Sequence, residues 1–439
     1  MFIFNVLGEV IRNKIQLKYS KSEIEELQLK KFRELVKYIN ENSKYYRELI
    51  QRNNINIENC VVQDFPEMTK VDLMENFDDI VTDSSISKQD LSNFFNYSSD
   101  PTELYKDKYY ALHSSGSSSL TGFFLFSPSE MASTLANSTR FNSPKLFQKL
   151  AYIAATNGHF AGVEMASLSK KFPVIYRDFL PLDINSPFDQ ILEKLQEFQP
   201  TNLSGYAFSI RKIAEAQKSG LINISPKNIS VGGEAISHSD QLYIEEVFRV
   251  NVVNVYASSE FLVIGVGKSE WGDKLMLMDD YVYTEIYENH CLMTNLFNKT
   301  LPLIRYKMSD KLISTSTPSN APPGFTFVEN IVGREEQTPY FINELGKSDF
   351  IHFLTIHSLI FQNVLGYQMK LINEESFEVH VQLEDPNSGN TDSVVSEVKA
   401  EFEKILSEKK MKNVTFSIKI IEKLWADPKT GKFKLVLKV

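Results

Sequence analysis

The residues best suited to chemistry lie in one stretch, His113-Ser114-Ser115-Gly116-Ser117-Ser118-Ser119-Leu120-Thr121-Gly122, where six of ten residues carry a hydroxyl and two are glycines. Hydroxyls and free backbone N–H groups on a flexible turn can close around phosphate oxygens. The same composition also suits an ordinary serine-rich surface loop. It is not a Walker A loop, because Phe123 stands where a lysine should follow the second glycine.

The elements that must hold this stretch read as an alternation of strands and helices. The apolar run 123–126 follows it as a strand, and 151–155 is another, ending in Thr156-Asn157-Gly158-His159-Phe160. Ser186-Pro187 opens a helix carrying Ile191, Leu192, Leu195 and Phe198, stopped by Pro200. Residues 201–205 lead to a helix through Ile210 and Ile213 that Gly220 ends. Strand 228–231 runs into Gly232-Gly233-Glu234; a helix with Leu242, Val247 and Phe248 follows, then strand 251–256. This pattern predicts an α/β fold, with a mainly parallel sheet flanked by helices and ligands beyond the C-terminal strand ends. Asn157-Gly158-His159, Gly232-Gly233-Glu234 and Tyr256-Ala257-Ser258-Ser259-Glu260 stand at those ends.

Upstream, 22–50 reads as one or two helices, with Ser22 and Glu25 as a capping box, and Thr69 with Asp72 offers another helix start. Downstream, a Ser-, Thr- and Pro-rich loop at 314–324 precedes a change of pattern near residue 333. Phe377, Val379, Val381 and Leu383 alternate as a strand, Val394, Val398, Phe402 and Ile405 are helical, and Val414, Phe416, Ile418 and Ile420 alternate again. Two domains are therefore expected: a large one over 1–332 and a small α+β one over 333–439. The uncharged run 350–369 reads as a buried helix, and Glu384-Asp385-Pro386-Asn387-Ser388-Gly389 as a hairpin turn.

Composition narrows the classes. A hydrophobic fraction of 42% and a charged fraction of 23% belong to an ordinary globular protein. The net charge of -9 argues against nucleic acid or an anionic membrane as the main partner. Cys60 and Cys291 are far apart with no metal-ligand spacing, so two reduced thiols and a cytoplasmic location are expected. Met1-Phe2-Ile3-Phe4-Asn5 lacks the basic leader of a signal peptide, and no membrane insertion is expected.

Taken in order, Ser114-Ser115-Gly116-Ser117-Ser118, Gly232-Gly233-Glu234, Tyr256-Ala257-Ser258-Ser259-Glu260, Leu303-Ile304-Arg305-Tyr306-Lys307-Met308-Ser309-Asp310, Gly333-Arg334 and Thr430-Gly431-Lys432 resemble the core motifs of adenylate-forming enzymes. The segments Tyr45-Tyr46-Arg47, Pro66…Thr69-Lys70…Asp72-Leu73 and Ser230-Val231-Gly232-Gly233-Glu234 are most similar to the phenylacetate–CoA ligase and capsule-biosynthesis branch. The resemblance runs from about residue 30 to the C-terminus; each motif is short, and the weight lies in their number and order. It implies a large adenylation domain with a small mobile C-terminal one. The implied activity joins a carboxylic acid to ATP, then passes the acyl group from the acyl-adenylate to a thiol or other acceptor.

The resemblance also implies roles. Ser114, Ser115, Gly116, Ser117 and Ser118 would wrap the β- and γ-phosphates. Gly232, Gly233, Glu234 and Tyr256, with Ala257 and Ser258, would line the nucleotide. Ser259 would sit by the α-phosphate, Glu260 would ligate Mg²⁺ and Asp310 would accept from the ribose hydroxyls. Arg334 would sit at an interdomain hinge, with Glu335 or Glu336 as pivot. Lys432 would bridge the acyl carboxylate and the α-phosphate. Tyr206 is assigned to the acid substrate, and His159 either to the acid pocket or to a satisfied core histidine. ATP, Mg²⁺ and CoA are the expected cofactors, a small carboxylic acid the substrate, CoA or a carrier protein the acceptor, and a homodimer is compatible with the branch.

Some positions depart from the pattern. Ser119-Leu120-Thr121-Gly122-Phe123 replaces the usual end of the phosphate loop, Ala257 and Ser309 stand for glycines, and Glu335-Glu336 for a pivot aspartate. An acid–CoA ligase is the leading expectation. An adenylate-forming enzyme with an amine, carrier-protein thiol or enzyme cysteine as acceptor is the alternative, and a non-catalytic nucleotide-binding homologue is a third.

Overall fold

The computed structural model describes residues 2–114, 121–138, 140–141, 145–288, 290–308, 310–329, 338–357, 359, 361–385, 390–425 and 435–438. They gather into two compact units, one drawn from Met1–Ser114, Gly122–Pro181 and Phe198–Val332, the other built mainly from Leu182–Glu197 and the chain from 338 onward.

The first unit holds a nine-stranded sheet. Its parallel block is Gln148–Ala154, Asn202–Tyr206, Asn228–Gly232 and Val252–Ser258, paired in that spatial order. Ala151, Ile153, Leu203, Ile229, Val231 and Val252 from these strands are buried, as continuous apolar strands in a parallel block should be. The helices between them are the expected ones, Ala207–Lys218 burying Ile210 and Ile213, and His238–Phe248. In the latter the buried side chains are Gln241, Ile244 and Phe248, while Leu242 points outward. Beyond Val252–Ser258 the pairing turns antiparallel through Leu262–Lys268, Lys274–Leu277, Phe327–Glu329 and Ser314–Thr315. The α/β class holds, but the sheet is mixed rather than mainly parallel.

Two helices, Lys21–Asn42 and Lys44–Arg52, fill the expected 22–50 segment. The capping box is Ser20 with Glu23, not Ser22 with Glu25. Both pairs fit the same pattern, and the chain uses the earlier one. Thr69 and Asp72 cap Lys70–Glu75 as expected.

One buried ion pair ties this unit together. Arg140 and Asp280 are both fully buried and meet fork to fork, Nη1 to Oδ1 at 3.1 Å and Nη2 to Oδ2 at 2.7 Å. Lys31, partly buried, donates to the Asp280 carbonyl, and desolvation lowers its ammonium pKa below the usual lysine value.

The second unit contains a four-stranded sheet in the order Thr415–Ile420, Ser376–Leu383, Val364–Asn373, Val436–Lys438. The helix Thr391–Glu408 contributes Val394, Val398, Phe402, Ile405 and Leu406 to its core. Lys409 is buried, donates to the Ser186 carbonyl at 2.9 Å and lies 3.6 Å from the Asp349 carboxylate, which also accepts from the Phe188 N–H. These contacts fasten the start of the helix Phe188–Phe198 to this unit.

Two expectations fail here. The run 350–369 is not one helix: strand Ser348–Phe350 ends in it, Phe353–His357 is a short helix, and Val364–Asn373 is a strand. Asn363, in the left-handed region at φ 59°, turns the chain between the last two. The segment from Glu384 leads from strand Ser376–Leu383 to helix Thr391–Glu408 instead of closing a hairpin, and residues 386–389 lie outside the described ones. Cys60 and Cys291 are free, as expected, and both are buried.

Removing one partner of the buried pair strands the other's charge. Arg140→Met should therefore cost about 3–5 kcal/mol in urea unfolding of the first unit, and Arg140→Met/Asp280→Leu should regain most of it. A loss under about 1 kcal/mol for the single variant would mean the pair does not hold the unit together.

Candidate active site

The loop is pinned at its described ends. Strand Tyr110–His113 pairs antiparallel with Phe123–Phe126, His113 opposite Phe123. Ser114 N donates to Gly122 O at 2.9 Å, and Gly122 N donates to Ser114 Oγ at 2.9 Å. A Cβ on Gly122 would meet the Phe124 ring at 2.8 Å and the Lys70 side chain at 3.3 Å, so this glycine is set by close approach. Ser115, Gly116, Ser117 and Ser118 lie outside the described residues, as do Arg334 and Lys432.

Lys70 reaches this clamp from the first position of helix Lys70–Glu75, its Nζ donating to Ser114 Oγ at 3.2 Å. The Thr69 capping box fixes where that helix begins, and so where Lys70 is aimed. Lys70 was legible in the sequence as part of a motif but carried no assigned role.

On the opposite side of the clamp, Ser259 Oγ donates to the His113 carbonyl at 3.3 Å. Ser259 and Glu260 belong to the tight turn between Val252–Ser258 and Leu262–Lys268, whose pairing slips between Tyr256 and Ala257. Such a bulge re-aims the side chains of a strand end. Ser258 Oγ accepts from Phe261 N and closes the turn. Burial pushes the Glu260 carboxyl above its ordinary pKa, against its own backbone hydrogen bond and the pull of Lys70 and Ser258. Tyr306 donates to Glu260 Oε1 at 3.4 Å.

Tyr256, at the end of its strand, donates from its hydroxyl to Asp310 Oδ2 at 2.8 Å. Burial first, and Asp310 second, hold that phenol neutral well above its ordinary range. Asp310 is further fixed by its carbonyl, which accepts from Cys291 Sγ at 3.4 Å. Hydrogen bonds thus join Lys70 to Ser114, Ser259 to the neighbouring His113 carbonyl, Tyr306 to Glu260 and Tyr256 to Asp310, and Glu260 and Asp310 are near enough to feel each other's charge. The structure places a lysine ammonium, two carboxylates, two phenols and two serine hydroxyls in one place. That set can bind an anion, a divalent cation and a polyhydroxyl group.

The glycine pair lies beside it. In the parallel register Tyr206 stands opposite Gly232, and Gly232 opposite Val255. Gly233 is left-handed, at φ 77°, and a Cβ there would be 2.8 Å from the Tyr206 ring, so only a glycine lets the two residues approach this closely at the strand ends. Glu234 Oε1 accepts from Phe208 N at 2.9 Å, at the N-terminus of helix Ala207–Lys218. Its carboxylate therefore serves that helix end. Tyr152 stands close to Tyr206, and burial raises its phenol pKa.

His159 is fully buried. Its Nε2 is 3.1 Å from Ser98 Oγ, which also donates to Glu103, and Phe94 and Phe95 enclose the ring at 4.8 and 5.6 Å. Its backbone carbonyl accepts from His113 N at 3.2 Å, so it steadies the strand that carries Ser114. These are the surroundings of a core histidine. Burial, then the neighbouring His113, lowers its pKa from 6.5 to about 4.

No family model matches the chain. Protein CapK of Staphylococcus aureus is 25% identical over 337 residues, covering 70% of this chain and 67% of that protein. A solved 2-hydroxyisobutyryl-CoA ligase, in complex with 2-HIB-AMP and CoA, superposes with a TM-score of 0.60 at 14% identity, covering 96% of this chain and 91% of that one. The same ligase in a postadenylation state, with R3-HIB-AMP, gives a TM-score of 0.57 over the same shares.

Because the fold keeps His159 neutral while the unfolded chain protonates it near 6.5, its contribution is full above that pH and is lost towards 4. His159→Gln should remove roughly 3 kcal/mol of this loss from the pH dependence of unfolding between pH 7 and 4. An unchanged slope would show that the ring is not held neutral.

Proposed function

We propose that the chain, which shares the fold of a solved 2-hydroxyisobutyryl-CoA ligase, is an adenylate-forming ligase that activates a small carboxylic acid with ATP and passes the acyl group to CoA. The observation that carries this reading is the gathering of Lys70, Ser114, Glu260, Tyr256 and Asp310 beyond the ends of the parallel strands. In the first half-reaction a carboxylate oxygen of the acid forms a bond to the α-phosphorus of ATP, and pyrophosphate departs. In the second, a thiolate adds to the acyl carbon and AMP leaves. CoA is favoured as acceptor because a solved protein of this fold holds an acyl-AMP together with CoA.

The roles follow from charge and reach. Tyr256 offers its ring to the adenine, and Asp310, anchored by that phenol, accepts from the ribose hydroxyls with its remaining lone pairs. Ser114 and the loop after it receive the outer phosphates. Glu260 is a half-buried carboxylate that burial holds above its ordinary pKa despite the pull of Lys70, which suits a Mg²⁺ site completed by phosphate oxygens. Bound there, Mg²⁺ would supply charge neutralisation for the departing pyrophosphate. Lys70 is a cation fixed at the clamp, and Lys432, which lies outside the described residues, is the proposed second cation for the acid carboxylate and α-phosphate.

Incubation with ATP, a panel of acids, and either CoA or hydroxylamine tests the reading. Acid-dependent pyrophosphate release with a CoA thioester is the expected result. Hydroxamate without thioester would move the acceptor to an amine or protein thiol, and no pyrophosphate release with any acid would contradict the ligase reading. Lys432→Ala should slow pyrophosphate release about 100-fold while ATP binding changes less than about twofold. Lys70→Met should slow it about 10- to 100-fold, the worth of a charged hydrogen bond. A parent-like rate for Lys70→Met would leave Lys70 as a structural tie only.

A further inference from the structure

The helix Phe2–Gln16 turns its most apolar residues away from the protein. Ile3, Phe4, Leu7, Ile11 and Ile15 recur at spacings of one, three and four, form one stripe, and are 45% to 78% exposed. The inward face carries Val6 and Val10, but also Glu9, Asn13 and Gln16. Burial alone would favour the opposite orientation. The helix is held this way round by specific contacts: the Tyr281 hydroxyl lies 2.9 Å from both the Glu9 carboxylate and the Asn13 amide, and Val6 packs with Ala132, Ala136 and Phe172. Tyr281 follows Asp280 of the buried ion pair, so the anchor is rigid.

Two further observations say what covers the stripe. Lys14 falls within its arc and Lys18 one turn further on, and neither makes an ion pair among the described residues, whereas Arg12 is paired with Glu9. A second exposed apolar element flanks the same cluster. Leu146 and Phe147 are exposed, Phe147 in the left-handed region at φ 56°, and its N–H donates to the carbonyl of exposed Val174. Val174 precedes Ile175, which packs with the Val6 cluster.

We propose that this face docks the protein onto an anionic phospholipid bilayer. The helix would lie in the interface plane, its apolar stripe among the upper acyl chains and its lysines at the level of the phosphates. No helix among the described residues is long and apolar enough to cross a membrane, so the attachment is peripheral. A second copy is the weaker occupant, because a two-fold seam would bury Lys14 among apolar side chains, with Glu9 already engaged by Arg12 and Tyr281. The chain's net charge of -9 does not forbid docking, since charges beyond about 8 Å are largely screened at physiological salt.

Co-sedimentation at 0.15 M salt, with a protein tagged only at its C-terminus, tests this. The parent should sediment with 3:1 phosphatidylcholine:phosphatidylglycerol vesicles, and at least about tenfold less with phosphatidylcholine alone. Lys14→Gln and Lys18→Gln should each weaken binding about fivefold. Phe4→Ser/Ile11→Ser should abolish it with an unchanged melting curve. Equal sedimentation of parent and double variant, equal binding to both vesicles, or no binding would overturn the proposal. So would a doubled mass by light scattering that the double variant abolishes, which would assign the face to a second copy.

Discussion

The hydrogen bond from Tyr256 to Asp310 joins two stretches 54 residues apart near the C-terminal end of a central strand of the sheet, and the candidate site depends on it. Tyr256 ends the last parallel strand, just before the bulge that re-aims Ser259 and Glu260. Asp310 arrives from beyond strand Tyr306–Met308, which also supplies the phenol that meets Glu260. Without that bond the carboxylate has less to fix its direction. With it, two carboxylates and two phenols share one position, and burial there leaves Glu260 in need of positive charge.

The positive charge comes from Lys70, and the chain places it by a local device. A capping box starts the helix at Thr69, the lysine is the first helical residue, and its ammonium meets the serine that closes the loop. The clamp between Ser114 and Gly122, the reach of Ser259 to the His113 carbonyl and the buried His159 behind that strand all hold the same loop mouth. The site is therefore an arrangement of strand ends and turns supported by the parallel block, with few of its groups on helices.

Much of this was legible in the sequence where period and punctuation agree. The strands expected over 228–231 and 251–256 are short β-branched runs followed by turn residues, and they are found at Asn228–Gly232 and Val252–Ser258. The polar cluster was legible because its motifs occur in order. Lys70 stood inside a quoted motif, but its role was not legible, since a lysine after a helix cap has no chemical pattern of its own. The run from Phe350 misled because a fully buried strand and a buried helix look alike in composition, and the deciding feature is the left-handed turn at Asn363. The capping box slipped by two residues because Ser20-Lys21-Ser22-Glu23 and Ser22-Glu23-Ile24-Glu25 fit one template, and the helix begins at the first of them. The outward stripe of the first helix is set by Tyr281, hundreds of residues away in the chain.

The central claim is that a nucleotide lies across the cluster around Tyr256 and Asp310. The most direct measurement is a structure of the protein with a non-hydrolysable acyl-AMP analogue. The account predicts the adenine against the Tyr256 ring, the ribose hydroxyls on Asp310 and the phosphate within reach of Lys70. A nucleotide bound elsewhere, with Tyr256 and Asp310 untouched, would contradict it.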